Sequence, residues 1–413
     1  MKPETLKRKI FNDPIYGFIT VPDELIFELI NHPWFQRLRR IKQLGLTNLV
    51  YPGALHTRFH HALGAMHLMS EALDVLRMKG HVITDEEARA ATIAILLHDI
   101  GHGPFSHALE HTIVEGVSHE TLSELFMTRL NKEFNGRLDL AILIFRNRYK
   151  KKFLHQLVSS QLDVDRLDYL KRDSFFTGVS EGIVSSDRII KMMNVVHDEL
   201  VVEMKGIYSV EKFIIARRLM YWQVYLHKTV LSAENLLVNI LKRARELAQT
   251  EHEELFCTPA LKIFLYHRHS EKSFKKDPQL LQHFADLDDH DVMTSIKVWV
   301  SHTDRILSLL CHNLINRHLY AVELQKKPFD LKRIAQLKQK AKQHYHLAGK
   351  DLPYLVFSAD VSNDTYRPDK LQIKILAKDG TVVDISEASD QLGVNLISHT
   401  VRKYFLCYPK EIR

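Results

Sequence analysis

Cysteine is scarce in this chain. Cys257, Cys311 and Cys407 are the only three in 413 residues, and they stand far apart with no CxxC spacing. That pattern does not suggest a disulfide framework and fits a reducing compartment. No stretch reaches about 18 uninterrupted apolar residues, so no membrane span is expected. The N-terminal MKPETLKRKIFNDP is basic but has neither an apolar core nor a cleavage site, so no signal peptide is expected. Internal repeats and low-complexity linkers are also missing. These absences predict a soluble, cytoplasmic, globular protein.

What the chain does have is a large apolar fraction, 45%, beside 26% charged residues, enough to build a sizeable core. Its formal charge is +7 and its pI about 9.0, a balance that favours anionic ligands such as nucleotides or nucleic acid. Histidine is abundant, 25 in all. Chance clusters are therefore common, and spacing has to carry any argument from them.

Residues 22–350 read mostly as helix. Thr84-Asp-Glu-Glu87 is a capping-box pattern that opens a helix running to about Leu97, where Gly101 and Gly103 break it. Ala62 to Met78 has helical apolar spacing and stops at Gly80. Further helices are predicted over Phe153–Arg172 and from Ser209 to about Leu247. After Gly349 the character changes: Leu371–Ile375 alternates with period two, Lys378-Asp-Gly380 makes a turn, and Val382–Ile385 resumes, which predicts a hairpin. The expected fold is mainly α with a small α+β C-terminal region. The expected parts are a core over 1–250, a helical extension over 251–350 and the α+β region over 351–413.

Residues 96–111, LLHDIGHGPFSHALEH, hold four histidines and two carboxylates directly after a buried-looking run. Adjacent residues on a helix point about 100° apart, so His98 and Asp99 can serve one site only at a broken helix end. An imidazole beside a carboxylate suits a borderline divalent metal. Alone, such a pair is more often a cap. Two other segments offer further donors, Thr57-Arg-Phe-His-His61 and Leu162–Tyr169. Asp165, Asp168, Tyr169 and Arg172 share a helical face, as do Arg217, Tyr221, Tyr225 and Lys228; either stripe could equally be structural.

In order along the chain come Phe11-Asn-Asp-Pro-Ile15, Gln36-Arg-Leu-Arg39, Ile41-Lys-Gln-Leu-Gly45, Tyr51-Pro-Gly-Ala54, Arg58-Phe59 and His61. Leu63-Gly64, His98–His107, Asp163-Val-Asp165, Leu167-Asp-Tyr169 and Arg172-Asp173 follow. This ordered set resembles the HD-domain metal-dependent phosphohydrolases, and within them the dGTPase-like deoxynucleoside triphosphate triphosphohydrolases. The likeness covers about the first 230 residues and fades beyond 250. It implies an HD-domain helical fold, with the metal-binding part over about 55–173. The implied reaction is metal-dependent hydrolysis of a dNTP, by attack at the α-phosphorus, to deoxynucleoside and triphosphate.

The resemblance maps the metal ligands onto His61, His98, Asp99 and Asp165. They would hold one divalent transition metal (Mn, Fe, Zn, Ni or Co), with Mg²⁺ on the substrate phosphates. It assigns His102, His107 and His119 to phosphate contact and proton delivery, and Glu110 to orienting His107. It gives Gln43 and Leu44 the sugar 3′-hydroxyl and its surroundings, Tyr169 the deoxyribose face, and Asp173 the 3′-hydroxyl. Arg58, Arg166 and Arg217 would meet phosphates, with Arg166 standing where the human enzyme of that triphosphohydrolase group has Lys. Tyr225 would lie near the base. Leu226 departs from the Gln found there in the human enzyme. His60 is read as a structural neighbour of His61, and His111 as a bystander.

The resemblance also implies a homo-oligomer (dimer or tetramer) and a nucleotide activator. The basic runs Arg146–Lys152 and Lys332–Lys342 read as solvated surface; they admit nucleic acid without indicating it. Two alternatives stand beside the dNTP reading. One is HD chemistry on (p)ppGpp, a nucleoside monophosphate or a cyclic dinucleotide, the last disfavoured because no GYP triplet follows the HD pair. The other is a non-catalytic nucleotide or nucleic-acid binder, against which the full set of candidate ligands speaks.

Overall fold

The computed structural model describes residues 9–105, 112–114, 116–250, 254–363, 372–389 and 401–413. Its centre is a helix α1 (Arg58–Met78) packed between α2 (Asp85–Leu97) and α5 (Val164–Thr177), with α3 (His119–Glu133) tied through Ser123 to the loop after α2 and α4 (Lys152–Val158) alongside. The capping box that opens α2 forms as expected. Thr84 Oγ1 accepts the Glu87 N–H at 3.1 Å, and Glu87 Oε2 accepts the Thr84 N–H at 2.9 Å. Ala90–Leu97 is buried on every side, so α2 is a core helix and its C-terminal end is buried with it.

Two predicted helices are each interrupted. The Phe153–Arg172 segment is α4 and α5, separated by extended backbone at Ser159 and Asp163. Asp163 causes the break: its carboxylate accepts the N–H groups of Ser160 (2.7 Å) and Arg166 (2.8 Å), capping a new helix. The Ser209–Leu247 segment is α6 (Ile207–Met220), a π-helical turn over Tyr221–Tyr225, and α7 (Lys228–Thr250). Such turns re-aim side chains and recur at functional sites.

Beyond α7, helix α8 (Asp289–Trp299) returns to the first lobe. Arg37, 1% exposed, donates to the carbonyls of Leu287 (3.0 Å), Ile100 (3.2 Å) and His102 (2.7 Å). The strands are β1 (Ile10–Asp13), β2 (Gly17–Thr20), β3 (Met193–Val196), β4 (Glu199–Glu203), β5 (Ala321–Gln325), β6 (Phe357–Asn363), β7 (Lys374–Leu376), β8 (Val382–Asp384) and β9 (Val401–Tyr408). They form a β1–β2 hairpin, a sheet of order β3-β4-β7-β8 and a sheet of order β5-β9-β6. The predicted C-terminal hairpin is β7–β8, paired Ile375 to Val383, with Gly380 at φ +89° in its turn. Since β7 also pairs in parallel with β4, that hairpin is part of the first lobe's sheet. Basic helix α9 (Leu331–Tyr345) lies on the surface between β5 and β6 in sequence. No described helix is long and apolar enough to cross a membrane.

Candidate active site

Helix α1 delivers His61, the end of α2 delivers His98 and Asp99, and the first turn of α5 delivers Asp165. The structure brings all four together. His61 Nε2 lies 3.1 Å from Asp165 Oδ1 and 3.8 Å from Asp99 Oδ2; His98 Nε2 lies 3.5 Å from Asp165 Oδ1 and 3.3 Å from Asp99 Oδ1. Ligand atoms of His61, His98 and Asp99 sit within 4.8 Å of one another.

Both imidazoles are aimed by their other nitrogen. His98 Nδ1 donates to the Ile95 carbonyl at 2.6 Å. His61 Nδ1 donates to Asp168 Oδ2 at 2.7 Å, and Asp168 is gripped by Arg172 Nε (2.9 Å) and Nη2 (3.0 Å). Arg172 Nη1 continues to Asp13 Oδ2 at 2.8 Å, so a buried chain runs from the β1–β2 hairpin to the site. That leaves the Nε2 atoms of His61 and His98 buried without a hydrogen-bond partner. Two orphaned imidazole nitrogens facing two carboxylates are the donor set of a divalent transition metal, and the residues fit such an ion. Electrostatics agree. Burial opposes charge on His61, yet Asp165 and Asp168 outweigh it and raise its pKa to about 10. Burial works against ionised Asp165 as well, but His61 and His98 hold it well below the usual carboxylate range. The site calls for positive charge.

Gly64 explains how α5 comes this close. A Cβ there would stand 2.0 Å from Asp168 Oδ1 and 2.3 Å from Arg172 Nη2. Gly101 does the same for the loop after α2, where a Cβ would meet the His119 carbonyl at 2.3 Å and the Ser123 nitrogen at 2.3 Å. Ser123 Oγ pins this loop, donating to the His98 carbonyl (2.6 Å) and accepting the Gly101 N–H (2.9 Å).

His102 and His119 stack at 3.9 Å between centroids and 26° between planes. His102 Nδ1 is 3.2 Å from Asp99 Oδ1. Burial, with the Arg58 guanidinium, pushes the His102 pKa down to about 3, so its ring is neutral near pH 7. His107, Glu110 and His111 lie outside the described residues. His60 closes a capping box at the start of α1, its Nδ1 accepting the Thr57 N–H at 3.2 Å.

The predicted substrate residues line the same region with different immediate partners. Arg58 Nη1 binds Asp99 Oδ2 at 2.6 Å, Arg166 Nη1 binds Asp163, and Arg217 Nη1 donates to Gln161 Oε1 at 3.0 Å. In each of these arginines Nε is buried without an acceptor. Asp173 is 1% exposed; its oxygens accept the Tyr225 hydroxyl at 2.7 Å and meet His56 Nε2 at 2.8 Å. The π turn is what brings Tyr225 there. Tyr169 packs edge-on to Tyr225 at 6.3 Å, and burial raises its pKa above the ordinary value. Gln43 keeps a buried Oε1 without a partner, while its N–H donates to the His56 carbonyl at 3.0 Å; Leu44 is half-buried beside it.

Sequence reasoning left Asp168, Arg172, Asp13 and His56 without roles in the site. Asp168 and Arg172 are a fully buried ion pair rather than a surface stripe. Their i, i+4 spacing on the Asp165 helix was the available signal. His56 had none, because its contacts to residues 43 and 173 are purely tertiary.

Residues 58–173 match the model of the HD domain, and residues 184–276 that of the HD associated region. The solved structure of a phosphohydrolase from Bacteroides thetaiotaomicron is 53% identical, with a TM-score of 0.94 over 97% of this chain and 100% of that one. The chain belongs to the HD-domain phosphohydrolases. An uncharacterised Bacillus subtilis protein, YwfO, is 35% identical over 98% of this chain and 93% of its own length. The deoxynucleoside triphosphate triphosphohydrolase SAMHD1 homolog of Dictyostelium discoideum is 32% identical over 57% of this chain and 49% of that protein. The likeness to YwfO thus runs through nearly all of this HD-domain hydrolase, whereas that to the named dNTP hydrolase covers 57% of it.

Proposed function

We propose that this chain hydrolyses deoxynucleoside triphosphates to deoxynucleoside and intact triphosphate. Water's oxygen bonds to the α-phosphorus, the bond from phosphorus to O5′ breaks, and a proton passes to O5′. The observation that carries the reading is the pairing of the orphaned His61 and His98 nitrogens with Asp99 and Asp165, one loop away from stacked His102 and His119. A divalent transition metal held by these four residues would polarise a phosphoryl oxygen and lower the pKa of water. His102, neutral near pH 7, would contact phosphate, and His119 with His107 would hand the proton to O5′. Arg58, Arg166 and Arg217 each offer an unused buried N–H to the phosphates. Asp173, held by His56 and Tyr225, accepts the 3′-hydroxyl, and Tyr169 closes the face where a ribonucleotide carries its 2′-hydroxyl. By the resemblance Glu110 would orient His107, and Gln43 and Leu44 would complete the sugar pocket.

The deciding experiment is a product-resolved assay with Mn²⁺ or Mg²⁺ against the four dNTPs, with and without GTP or a second dNTP as activator. Deoxynucleoside and triphosphate are the expected products. Pyrophosphate release, or no turnover in every combination, overturns the reading; efficient (p)ppGpp cleavage in its place would move the substrate class within the same HD chemistry.

A further inference from the structure

Residues 326–350 hold eight Lys and Arg against one Asp, a net charge of +7. That equals the formal charge of the whole chain, so everything outside this segment is balanced. The excess is concentrated on and around α9, which carries no carboxylate from Leu331 to Tyr345. We propose that the exposed face of α9 is a docking surface for duplex DNA, an interaction separate from the hydrolase site.

At about 100° per residue, Leu337 and Ala341 point into the protein, and both are buried. Opposite them Lys332, Gln336, Gln339 and Gln343 fall in one exposed band about 60° wide. Lys338 and Lys342 flank that band on one side, Arg333 and Lys340 on the other. Arg333 reaches Glu323 only at 3.4 Å, and Lys340 reaches the Arg413 carbonyl at 3.3 Å. Lys332, Lys338 and Lys342 have no ionic partner among the described residues. Lys338 and Lys342, at i and i+4, repel each other and cost stability unless an anion meets them.

The arrangement selects the kind of polyanion. A helix about 10–12 Å across matches the B-form major groove, about 12 Å wide. Cations on both flanks then meet the phosphates of both strands, and the glutamine amides between them present donors and acceptors to base edges. Single strands are bound on aromatic stacking platforms, and this band has no aromatic side chain. The A-form major groove is too narrow for a helix. An acidic protein partner would need carboxylates matched to two lysine rows but gives no use for a ridge of three glutamines.

The test is fluorescence anisotropy of a labelled 20-base-pair duplex with the full chain, at salt from 50 to 200 mM. The expected plot of log affinity against log salt has a slope of about −4.5, for five cations meeting phosphates. The triple variant Lys332→Glu, Lys338→Glu, Lys342→Glu should weaken binding at 50 mM salt about 100-fold, with dNTP hydrolysis and thermal melting unchanged. The triple variant Gln336→Ala, Gln339→Ala, Gln343→Ala should keep the salt slope and lose preference among duplex sequences. The proposal is overturned by no duplex binding at 50 mM salt, by equal binding in the lysine variant, or by tighter binding of a single strand or of polyglutamate. A lysine variant that changes oligomeric state without changing duplex affinity also overturns it, assigning the face to a second copy of the chain.

Discussion

At the scale of single residues, the site depends on groups that touch no substrate. Asp168 fixes the tautomer of His61 and neutralises Arg172; the pair holds its pKa down to about 2 against burial. Removing it in Asp168→Ala frees the His61 ring and leaves Arg172 with Asp13 alone. Metal affinity should fall about 10–100-fold, and breaking the buried pair should cost about 3–5 kcal/mol. Elemental analysis after dialysis and thermal melting read the two effects; full metal content in a folded variant would contradict this role. His56 acts similarly on Asp173 while its ring stacks on Phe176 at 4.5 Å and 17°. If Asp173 reads the 3′-hydroxyl, His56→Ala should narrow the kcat/KM ratio between dNTPs and 2′,3′-dideoxy analogues about 10-fold, the worth of one hydrogen bond of about 1.4 kcal/mol. A uniform loss on both substrates would mark His56 as merely structural.

At the scale of elements, the end of α2 can do its work only if its start is fixed. Glu87 there accepts from Tyr149 at 2.6 Å and from Lys151 at 2.7 Å besides closing the capping box. Burial opposes its charge, but Lys151 and Tyr149 prevail and lower its pKa from 4.5 to about 2. The sign follows directly: the folded state holds the ionised form, so this stabilisation is complete above about pH 4.5 and is lost as pH falls toward 2. Glu87→Gln should lower the melting temperature at pH 7 and flatten its decline between pH 4.5 and 2. A variant that melts in parallel with the parent across that range would rule the clasp out. This clasp was half legible in the sequence. Thr84-x-x-Glu87 announces a cap, whereas Tyr149 and Lys151 lie some sixty residues away and reach it only in the fold. The same division runs through the other elements. Local chemistry marked α2, the β7–β8 hairpin and the donors His61, His98, Asp99 and Asp165. The break at Ser159–Asp163 was readable as a second cap, Ser160-x-x-Asp163, but apolar periodicity ran straight through it. The π turn at Tyr221–Tyr225 has no comparable local signature, because what it serves is the distant carboxylate of Asp173.

At the scale of the whole molecule, the catalytic lobe and the chain beyond residue 250 are interlocked around one buried guanidinium. Arg37 joins the loop that carries His102 to Leu287, two residues before α8, and burial lowers its pKa to about 9. Around it Trp34 Nε1 donates to Gln282 Oε1 at 3.0 Å, Arg40 pairs with Asp288, and the Lys42 N–H donates to Asp289 at 3.0 Å. The helical extension therefore braces the wall from which Gln43 and Arg58 project. Arg37→Met keeps the volume of the side chain's stem and strands three buried carbonyls, each costing about 1–3 kcal/mol. If the guanidinium couples the two regions, hydrogen exchange should accelerate together in peptides covering residues 98–105 and 286–290, with little change in the distant β5-β9-β6 sheet. Arg37→Lys should fall between parent and Met variant, since a single ammonium cannot span three carbonyls with the geometry of a planar fork. Loss of protection in one of the two peptides alone would show that they are held independently, and the extension would then be a neighbour of the active site rather than a support for it.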